Sequence, residues 1–189
     1  TALGELLFNN NDCAAATPEM KKAIQLDNNM FSAHTVLATC LALNGKPDDA
    51  LAEYDAALAL NVADADDTAL IFDRIGFIKH NQGKKDEAEA SYKKAIETAP
   101  GILDAYKHLG RLYYEQNRLD EALQTCLKSV EISPADADAR YNLSFIYAKT
   151  GKYQEALAQM DEALKIIPND PGFLESRRQL AAWAQKPKV

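Results

Sequence analysis

Residues 137–170 read ADARYNLSFIYAKTGKYQEALAQMDEALKIIPND, and this stretch decides the fold. A turn at Gly151 divides it, because glycine favours the left-handed conformation in which many helices end. Glu155 follows the turn, where a carboxylate complements the partial positive charge of a helix N-terminus. Pro168 then blocks continuation of the second helix. The stretch therefore predicts two antiparallel helices joined by a short turn.

The same pattern returns along the chain. A small residue recurs at intervals of 34, 38, 34 and 34 residues, at Ala16, Ala50, Ala88, Ala122 and Ala156. A larger packing residue follows each alanine by about one helical turn, at Met20, Tyr54, Tyr92, Cys126 and Met160. Small side chains let two helices approach closely, and the larger neighbour fills the adjacent gap. This periodicity is typical of stacked helical repeats.

The 38-residue interval has a visible cause. Residues 62–67 read VADADD and hold about four residues more than the equivalent segments. We expect either a longer loop or an extra turn at the start of the next helix. Asp66 and Asp67 are candidate caps for that helix.

These columns resemble the tetratricopeptide repeat family over nearly the whole chain. The best single unit is residues 137–170, with Tyr141-Asn142-Leu143 early, Gly151-Lys152-Tyr153 at its turn and Pro168 at its end. Residues 69–101 and 103–135 follow the same pattern. The resemblance implies an all-α fold, a right-handed superhelical solenoid of antiparallel helix pairs.

In a solenoid each repeat contacts only its neighbours, so we predict a single domain over residues 1–189. The expected units are residues 1–30 (incomplete), 31–64, 69–102, 103–136 and 137–170, followed by a capping helix at 171–185. Asp170 and Pro171 are the predicted N-cap and first residue of that last helix.

The composition and net charge of the chain indicate which classes of partner it is suited to bind. The chain is 47% hydrophobic and 26% charged, with a net charge of −7. An acidic balance disfavours non-specific binding to nucleic acid or to anionic membranes. No run of about 18 apolar residues is present, so we expect no membrane insertion.

Three cysteines, Cys13, Cys40 and Cys126, are too few and too scattered to indicate a disulfide framework. We predict reduced structural thiols, since free cysteine behaves as a small buried hydrophobe. This expectation slightly favours a reducing compartment such as the cytoplasm, although the sequence leaves the localisation open.

In this family the first helix of each unit lines the concave side, which typically binds an extended peptide or a partner helix. The groove residues carried over are Asp73, Phe77, His80, Lys107, Arg111, Tyr114, Tyr141, Asn142 and Phe145, with Thr35, Thr39 and Ala42 in the unit before. Lys107 and Arg111 lie one turn apart and form a cationic centre. Because a guanidinium can grip a carboxylate in two places, we expect a protein or peptide ligand with an acidic residue or a free C-terminal carboxylate.

Two specialised binding modes of the family fit less well. Lys107 and Asn142 match the carboxylate clamp of chaperone-binding relatives, but Gly172 and Ser176 stand where that clamp has lysine and arginine. In the asparagine ladder of the sugar-transferase relatives, the three rungs before Asn142 are here Val36, Arg74 and His108.

The sequence has no motif that indicates catalysis or the binding of a cofactor or metal. His34, His80 and His108 lie in different units, and the chain has no HExxH, CxxC, GxSxG or phosphate-binding glycine loop. We therefore expect no enzymatic activity and no bound cofactor or metal.

The leading hypothesis is a non-catalytic protein–protein interaction scaffold that binds a peptide in the concave groove. A self-assembly module is the first alternative, because Leu3 and Leu7 have no preceding helix pair to cover them, and this N-terminal face could mediate self-association. The second alternative is the regulatory repeat portion of a larger enzyme or envelope-assembly protein. Because residue 1 is threonine, we expect a fragment or a processed form.

Overall fold

A computed structural model describes residues 2–185, and those residues form helices and turns without any strand. The chain divides into two compact units, Thr1–Pro100 (unit 1) and Gly101–Val189 (unit 2). Residue 1 and residues 186–189 of the predicted domain lie outside the described part. The single-domain organisation stays a prediction.

Unit 1 contains six described helices. They are α1 (Ala2–Asn9), α2 (Cys13–Leu26), α3 (Phe31–Leu43), α4 (Pro47–Ala59), α5 (Ala65–Asn81) and α6 (Lys85–Thr98). Each helix packs on the next one in sequence, so the helices are arranged as successive hairpins.

Unit 2 contains five described helices. They are α7 (Leu103–Glu115), α8 (Leu119–Ile132), α9 (Ala137–Lys149), α10 (Tyr153–Ile166) and α11 (Pro171–Ala184). Here too consecutive helices pack together, and α7 also contacts α9. The predicted all-α fold of antiparallel helix pairs is confirmed.

The turns inside the pairs have the predicted left-handed residue. Gly45, Gly83 and Gly151 have φ angles of 71°, 76° and 75°, and Asn117 has 58°. Glycine has no Cβ to clash in this conformation, and asparagine tolerates it better than most other residues. The residue type at the end of each first helix therefore fixes where the chain reverses.

The repeating columns form the core of each unit. The five alanines at the repeat interval are completely buried, and so are Met20, Tyr92, Cys126 and Met160 in the column of larger residues. A methyl group on Gly76 would lie 2.7 Å from the ring of Tyr92, and one on Gly110 would lie 2.5 Å from the sulfur of Cys126. These glycines are needed because the paired helix approaches so closely at these points.

The extra residues between the second and third repeats extend a helix. At 17 residues, α5 is one turn longer than α3, α7 and α9, which have 13 residues each. Its N-cap is Asp64, whose carboxylate accepts a hydrogen bond of 2.8 Å from the backbone N–H of Asp67. The assignment of Asp66 or Asp67 as the cap is therefore wrong by a few residues, and the expected extra turn is confirmed.

Cys13 and Cys40 form a disulfide bond, with their Cα atoms 5.1 Å apart. Cys13 is the first residue of α2, and Cys40 is buried near the end of α3. The prediction of reduced thiols is wrong for these two residues, and the preference for a reducing compartment loses its basis, because disulfides persist in oxidising environments. The pairing escapes sequence analysis because 27 residues separate the cysteines and only the packing of α2 on α3 joins them.

The predicted capping helix is α11. Asp170 accepts a hydrogen bond of 2.8 Å from the N–H of Phe173, and Pro171 occupies the first turn. Phe173 and Leu180 are buried against the core of unit 2. The helix therefore covers the apolar face that the last repeat leaves exposed.

Candidate functional site

Unit 2 has a cavity of about 330 Å³ on the surface of its first helices. Its lining residues are Gly110, Arg111, Tyr114 and Glu115 of α7, Cys126 of α8, and Tyr141, Asn142, Phe145 and Ile146 of α9. Five of the nine residues predicted for the groove therefore meet around one cavity. We refer to it as the Phe145 cavity.

Aromatic packing fixes one wall of the Phe145 cavity. The ring of Tyr141 meets the ring of Phe145 edge-on, with centroids 4.7 Å apart, and lies 4.9 Å from the ring of Phe173 on α11. Such edge-on pairs stabilise a defined ring orientation. The capping helix thus helps to position a side chain that lines the cavity.

The floor of the Phe145 cavity includes Cys126. Burial raises the pKa of its thiol to about 12, so at neutral pH the sulfur carries its proton. Only the thiolate is a strong nucleophile or metal ligand. Cys126 therefore serves as a small apolar packing residue, which agrees with the sequence interpretation.

The two cations predicted for the groove of unit 2 already have acidic neighbours. The ammonium of Lys107 lies 3.3 Å from carboxylate oxygens of both Asp104 and Asp136. Burial opposes the charged form, but the two carboxylates outweigh it and raise the pKa of Lys107. Lys107 does not line the Phe145 cavity, whereas Arg111 lines it and lies 3.9 Å from Glu115 at the closest charged atoms.

Unit 1 contains two cavities that share one wall. The Phe77 cavity, of about 320 Å³, is lined by Thr39, Ala42, Leu43, Gly45, Pro47, Tyr54, Arg74, Phe77, Ile78, Asn81 and Gln82. The Phe8 cavity, of about 300 Å³, is lined by Phe8, Phe31, Thr35, Val36, Thr39, Tyr54, Asp67, Leu70, Ile71 and Arg74. Phe77 and the threonines carried over for the groove therefore border open cavities.

A hydrogen-bonded pair holds the shared wall. The hydroxyl of Thr39 donates to the carbonyl of Thr35 at 2.9 Å, so its single proton is engaged. The hydroxyl of Tyr54 must then donate to Thr39, also at 2.9 Å. Burial raises the pKa of Tyr54, which keeps this donor protonated.

Asp73 and His80 do not line these two cavities. Asp73 is completely buried within unit 1, so a ligand could not contact its carboxylate without a rearrangement of α5. Sequence spacing placed both residues on the same helical face as Phe77, but spacing alone does not reveal how much of that face the neighbouring helices cover. Their role in a groove stays a prediction.

His34 belongs to the core of unit 1. Its Nδ1 lies 2.6 Å from the carboxylate of Glu53 on α4, and its Nε2 lies 3.0 Å from the carbonyl of Asn28 in the turn before α3. Both ring nitrogens are thus engaged in fixing three segments of the chain.

Within residues 2–185, no three His, Cys, Asp or Glu side chains are grouped in a way that could hold a metal ion.

No helix in the described part of the chain combines the length and the apolar character that crossing a membrane requires.

The sequence points less clearly to Arg74 than the structure does. It was noted only as a departure from an asparagine ladder, yet it lines both cavities of unit 1. Its place on the first helix of a repeat follows from the sequence, but its lack of an ion-pair partner within residues 2–185 does not.

Solved structures share this fold. A repeat-containing protein from Cytophaga hutchinsonii is 22% identical with a TM-score of 0.80, over 97% of this chain and 70% of that one. YrrB, described as having an unusual peptide-binding site, is 23% identical with a TM-score of 0.69, over 93% and 88%. The first repeat domain of Spaghetti (RPAP3), bound to the HSP90 peptide SRMEEVD, is 19% identical with a TM-score of 0.62, over 66% and 99%.

No curated protein sequence matches this chain significantly. Family models for the tetratricopeptide repeat match residues 29–100, 81–137 and 137–170, so together they span residues 29–170. Helices α3 to α10, the left-handed residues Gly45, Gly83, Asn117 and Gly151, and four of the five buried alanines lie within that span. The chain belongs to the tetratricopeptide repeat family.

Proposed function

We propose that the chain is a non-catalytic protein-interaction scaffold and that the Phe145 cavity binds a peptide segment of its partner. The observation that carries this proposal is the meeting of five predicted groove residues around one mostly apolar cavity. Concave, largely apolar sites with a few polar groups are where proteins bind ligands. Peptide binding by YrrB and by the Spaghetti repeat domain supports the same class of function for this fold.

The side chains of the cavity suit a peptide with a particular composition. Phe145 and Tyr141 offer rings against which an apolar side chain can pack. Asn142 has an amide that can both donate to and accept from a peptide bond. The closest charged atoms of Arg111 and Glu115 are 3.9 Å apart, which is longer than a hydrogen bond. The Arg111 guanidinium can therefore still bind a carboxylate of the peptide.

Lys107 contributes less to this proposal than its sequence position suggested. Its ammonium is held between two carboxylates of unit 2. Replacing it with glutamate would bring three carboxylates together and would disturb the fold as well as any binding. A test of the cavity is therefore cleaner with substitutions at Arg111 and Phe145 alone.

The test begins with selection of binding peptides from a displayed random library on the full chain. The selected peptides are synthesised, and their affinities are measured by fluorescence anisotropy. We expect Phe145→Ala to weaken binding about tenfold, because a lost contact of roughly 1.4 kcal/mol changes Kd by that factor. Arg111→Gln should have a similar effect on peptides that carry a carboxylate.

Two substitutions outside the Phe145 cavity, but still in unit 2, serve as matched controls. The side chain of Lys128 on α8 is 45% exposed and that of Arg111 is 44% exposed, and both take part in ion pairs within their own helices. Lys128→Gln should leave binding unchanged, as should Leu127→Ala, which shortens an exposed apolar residue outside the cavity. Selected peptides that bind both cavity variants as tightly as the original chain would exclude the Phe145 cavity as the binding site.

A further inference from the structure

We propose that unit 1 has a second peptide-binding site, in which Arg74 binds a side-chain carboxylate while neighbouring apolar residues of the same peptide enter the Phe77 and Phe8 cavities. The inference rests on the proposed function, since it assumes a chain that binds peptides. It adds a site in the other unit and the chemistry of the segment that would occupy it.

The two cavities of unit 1 form one continuous candidate surface. Thr39, Tyr54 and Arg74 line both of them. The hydrogen bond between Tyr54 and Thr39 holds two of these three shared residues in place. A peptide that crosses this wall would therefore meet an apolar cavity on each side and the Arg74 guanidinium between them.

Arg74 is exposed, and in residues 2–185 it has neither an ion pair nor a hydrogen bond. This is notable in a chain with 28 acidic and 21 basic residues, because many carboxylates could have been its partner. Charge complementarity therefore favours a carboxylate from outside the chain. The net charge of −7 also disfavours a strongly acidic segment, so a single acidic residue suits the site best.

Acidic residues around Arg74 indicate where the incoming carboxylate would lie. Asp67 lines the Phe8 cavity and would repel it there. Arg74 is the one charged residue among those that line the Phe77 cavity. Asp73, on the same helix, is completely buried. The carboxylate is therefore expected on the side of Arg74 that faces the Phe77 cavity.

Gln82 supplies a second polar group with unused capacity. Its Nε2 donates to the carboxylate of Asp48 at 2.9 Å, which fixes the orientation of the amide. Its Oε1 is buried at the Phe77 cavity and lacks a donor within residues 2–185. A backbone N–H of a bound peptide could reach this acceptor only if the Gln82 side chain rotated toward the cavity, and the cost of leaving the acceptor unsatisfied would favour that rotation.

The geometry favours an internal acidic side chain over a terminal carboxylate. Since Arg74 lines both cavities, a peptide that fills both must pass the Arg74 side chain and continue beyond it. A chain that ended at Arg74 would leave one cavity empty. The expected segment has one aspartate or glutamate with an apolar residue on each side.

The probes are fluorescein-labelled synthetic peptides with acetylated and amidated ends. Each has two leucines with one glutamate between them on a polar, uncharged background, and the spacing is varied across the set. One companion series has glutamine in place of glutamate. A second companion series keeps the glutamine but has a free C-terminal carboxylate.

We expect the best glutamate peptide to bind the full chain about tenfold more tightly than its glutamine companion, as removal of a charge-assisted contact predicts. Arg74→Gln should weaken the glutamate peptide by about the same factor and leave the glutamine peptide unchanged. This non-additivity shows direct contact, because both changes remove the same interaction. Lys22→Gln, an exposed change on α2 outside both cavities, should have no effect.

A second variant tests the cavity without changing charge. Ala42→Phe fills the Phe77 cavity and should abolish binding of the glutamate peptide. Ala52→Phe, at an exposed position of α4, should not. Circular dichroism of all variants verifies that they remain folded.

Three outcomes would overturn the inference. They are failure of every glutamate peptide to bind, equal loss of both companion peptides on Arg74→Gln, and binding that needs the free C-terminal carboxylate. The peptides selected on the full chain from the displayed library are measured on the same variants. If they still respond to Phe145→Ala, only the unit 1 site is disproved and the proposed function stands.

Discussion

Units 1 and 2 are built from the same repeat, but the arginine that borders a cavity has an acidic neighbour in unit 2 and has none in the described residues of unit 1. In unit 2, Lys107 lies between two carboxylates and Arg111 lies close to Glu115. In unit 1, Arg74 borders two cavities and has no acidic partner in the described residues. A repeat thus fixes the backbone at these positions, while acidic side chains on the same helix and on the next repeat decide whether a charge is available to a ligand.

The units also differ in their cysteines. Unit 1 uses Cys13 and Cys40 to link α2 covalently to α3. Unit 2 uses Cys126 as a buried packing residue under Gly110. The same residue type therefore constrains the unfolded chain in one unit and fills space in the other.

Reduction of the disulfide should produce the largest difference between the units. Opening a loop closed by cysteines 27 residues apart should lower the free energy of unfolding of unit 1 by roughly 3–4 kcal/mol. Unit 2 should be unaffected, because Cys126 is already free. Urea unfolding with and without reductant is followed by far-UV circular dichroism and by the fluorescence of Trp183, the one tryptophan of the chain, which lies in α11.

The expected result is a reductant-dependent shift of the circular dichroism transition and no shift of the fluorescence transition. Cys13→Ser is the control, since its unfolding should no longer respond to reductant. If the wild-type chain is equally stable in both conditions, the two cysteines are not joined in solution, and this contrast between the units fails.

Two glycine-to-alanine substitutions compare how tightly paired helices pack in unit 1 and in unit 2. Gly76→Ala would press a methyl group onto the ring of the fully buried Tyr92, and Gly110→Ala would press one onto the sulfur of Cys126. Overpacking costs about 1–3 kcal/mol, and replacing glycine in a helix offsets about 1 kcal/mol of it. We expect a net loss of up to about 2 kcal/mol for Gly76→Ala and less for Gly110→Ala, because a ring cannot move aside as easily as a thiol.

Urea unfolding measures both variants. Adding Cys126→Ala to Gly110→Ala should recover stability, because it removes the atom that the new methyl group meets. A larger loss in Gly110→Ala than in Gly76→Ala would show that unit 2 is packed more rigidly than its contacts indicate.

The helix caps should give the smallest difference. Asp64 and Asp136 cap α5 and α9, each accepting a backbone N–H, at 2.8 and 2.6 Å. Replacing either with alanine should cost about 1 kcal/mol for the lost cap. Asp136→Ala should cost about 0.5 kcal/mol more, because it also removes an acidic partner of Lys107.

Added salt should shrink that extra cost, since ions screen a partly exposed pair. Thermal unfolding at low and high ionic strength measures it. Equal losses in Asp64→Ala and Asp136→Ala at both ionic strengths would mean that Lys107 gains nothing from Asp136. In that case Lys107 would be as available to a ligand as the sequence suggested.

Much of the fold could be predicted because it depends on local chemistry. Gly151 and Asn117 end helices through their own backbone preferences, and Asp170 with Pro171 begins one. The cap of α5 was misplaced because Asp64, Asp66 and Asp67 are chemically equivalent in sequence. Of the candidate site, the residues around the Phe145 cavity were predicted together, because the family resemblance assigns the first helix of each repeat to the concave groove.

The helix pairs, their turns and the repeat family follow from the amino-acid sequence, because residues near each other in the chain set those features. The folded structure is needed to see that Cys13 meets Cys40, that Lys107 is paired with Asp136 and that Arg74 has no ion pair in the described residues. These features depend on residues that lie far apart along the chain. Bond formation and charge pairing depend on atoms within a few ångströms, and packing brings such atoms together from separate helices.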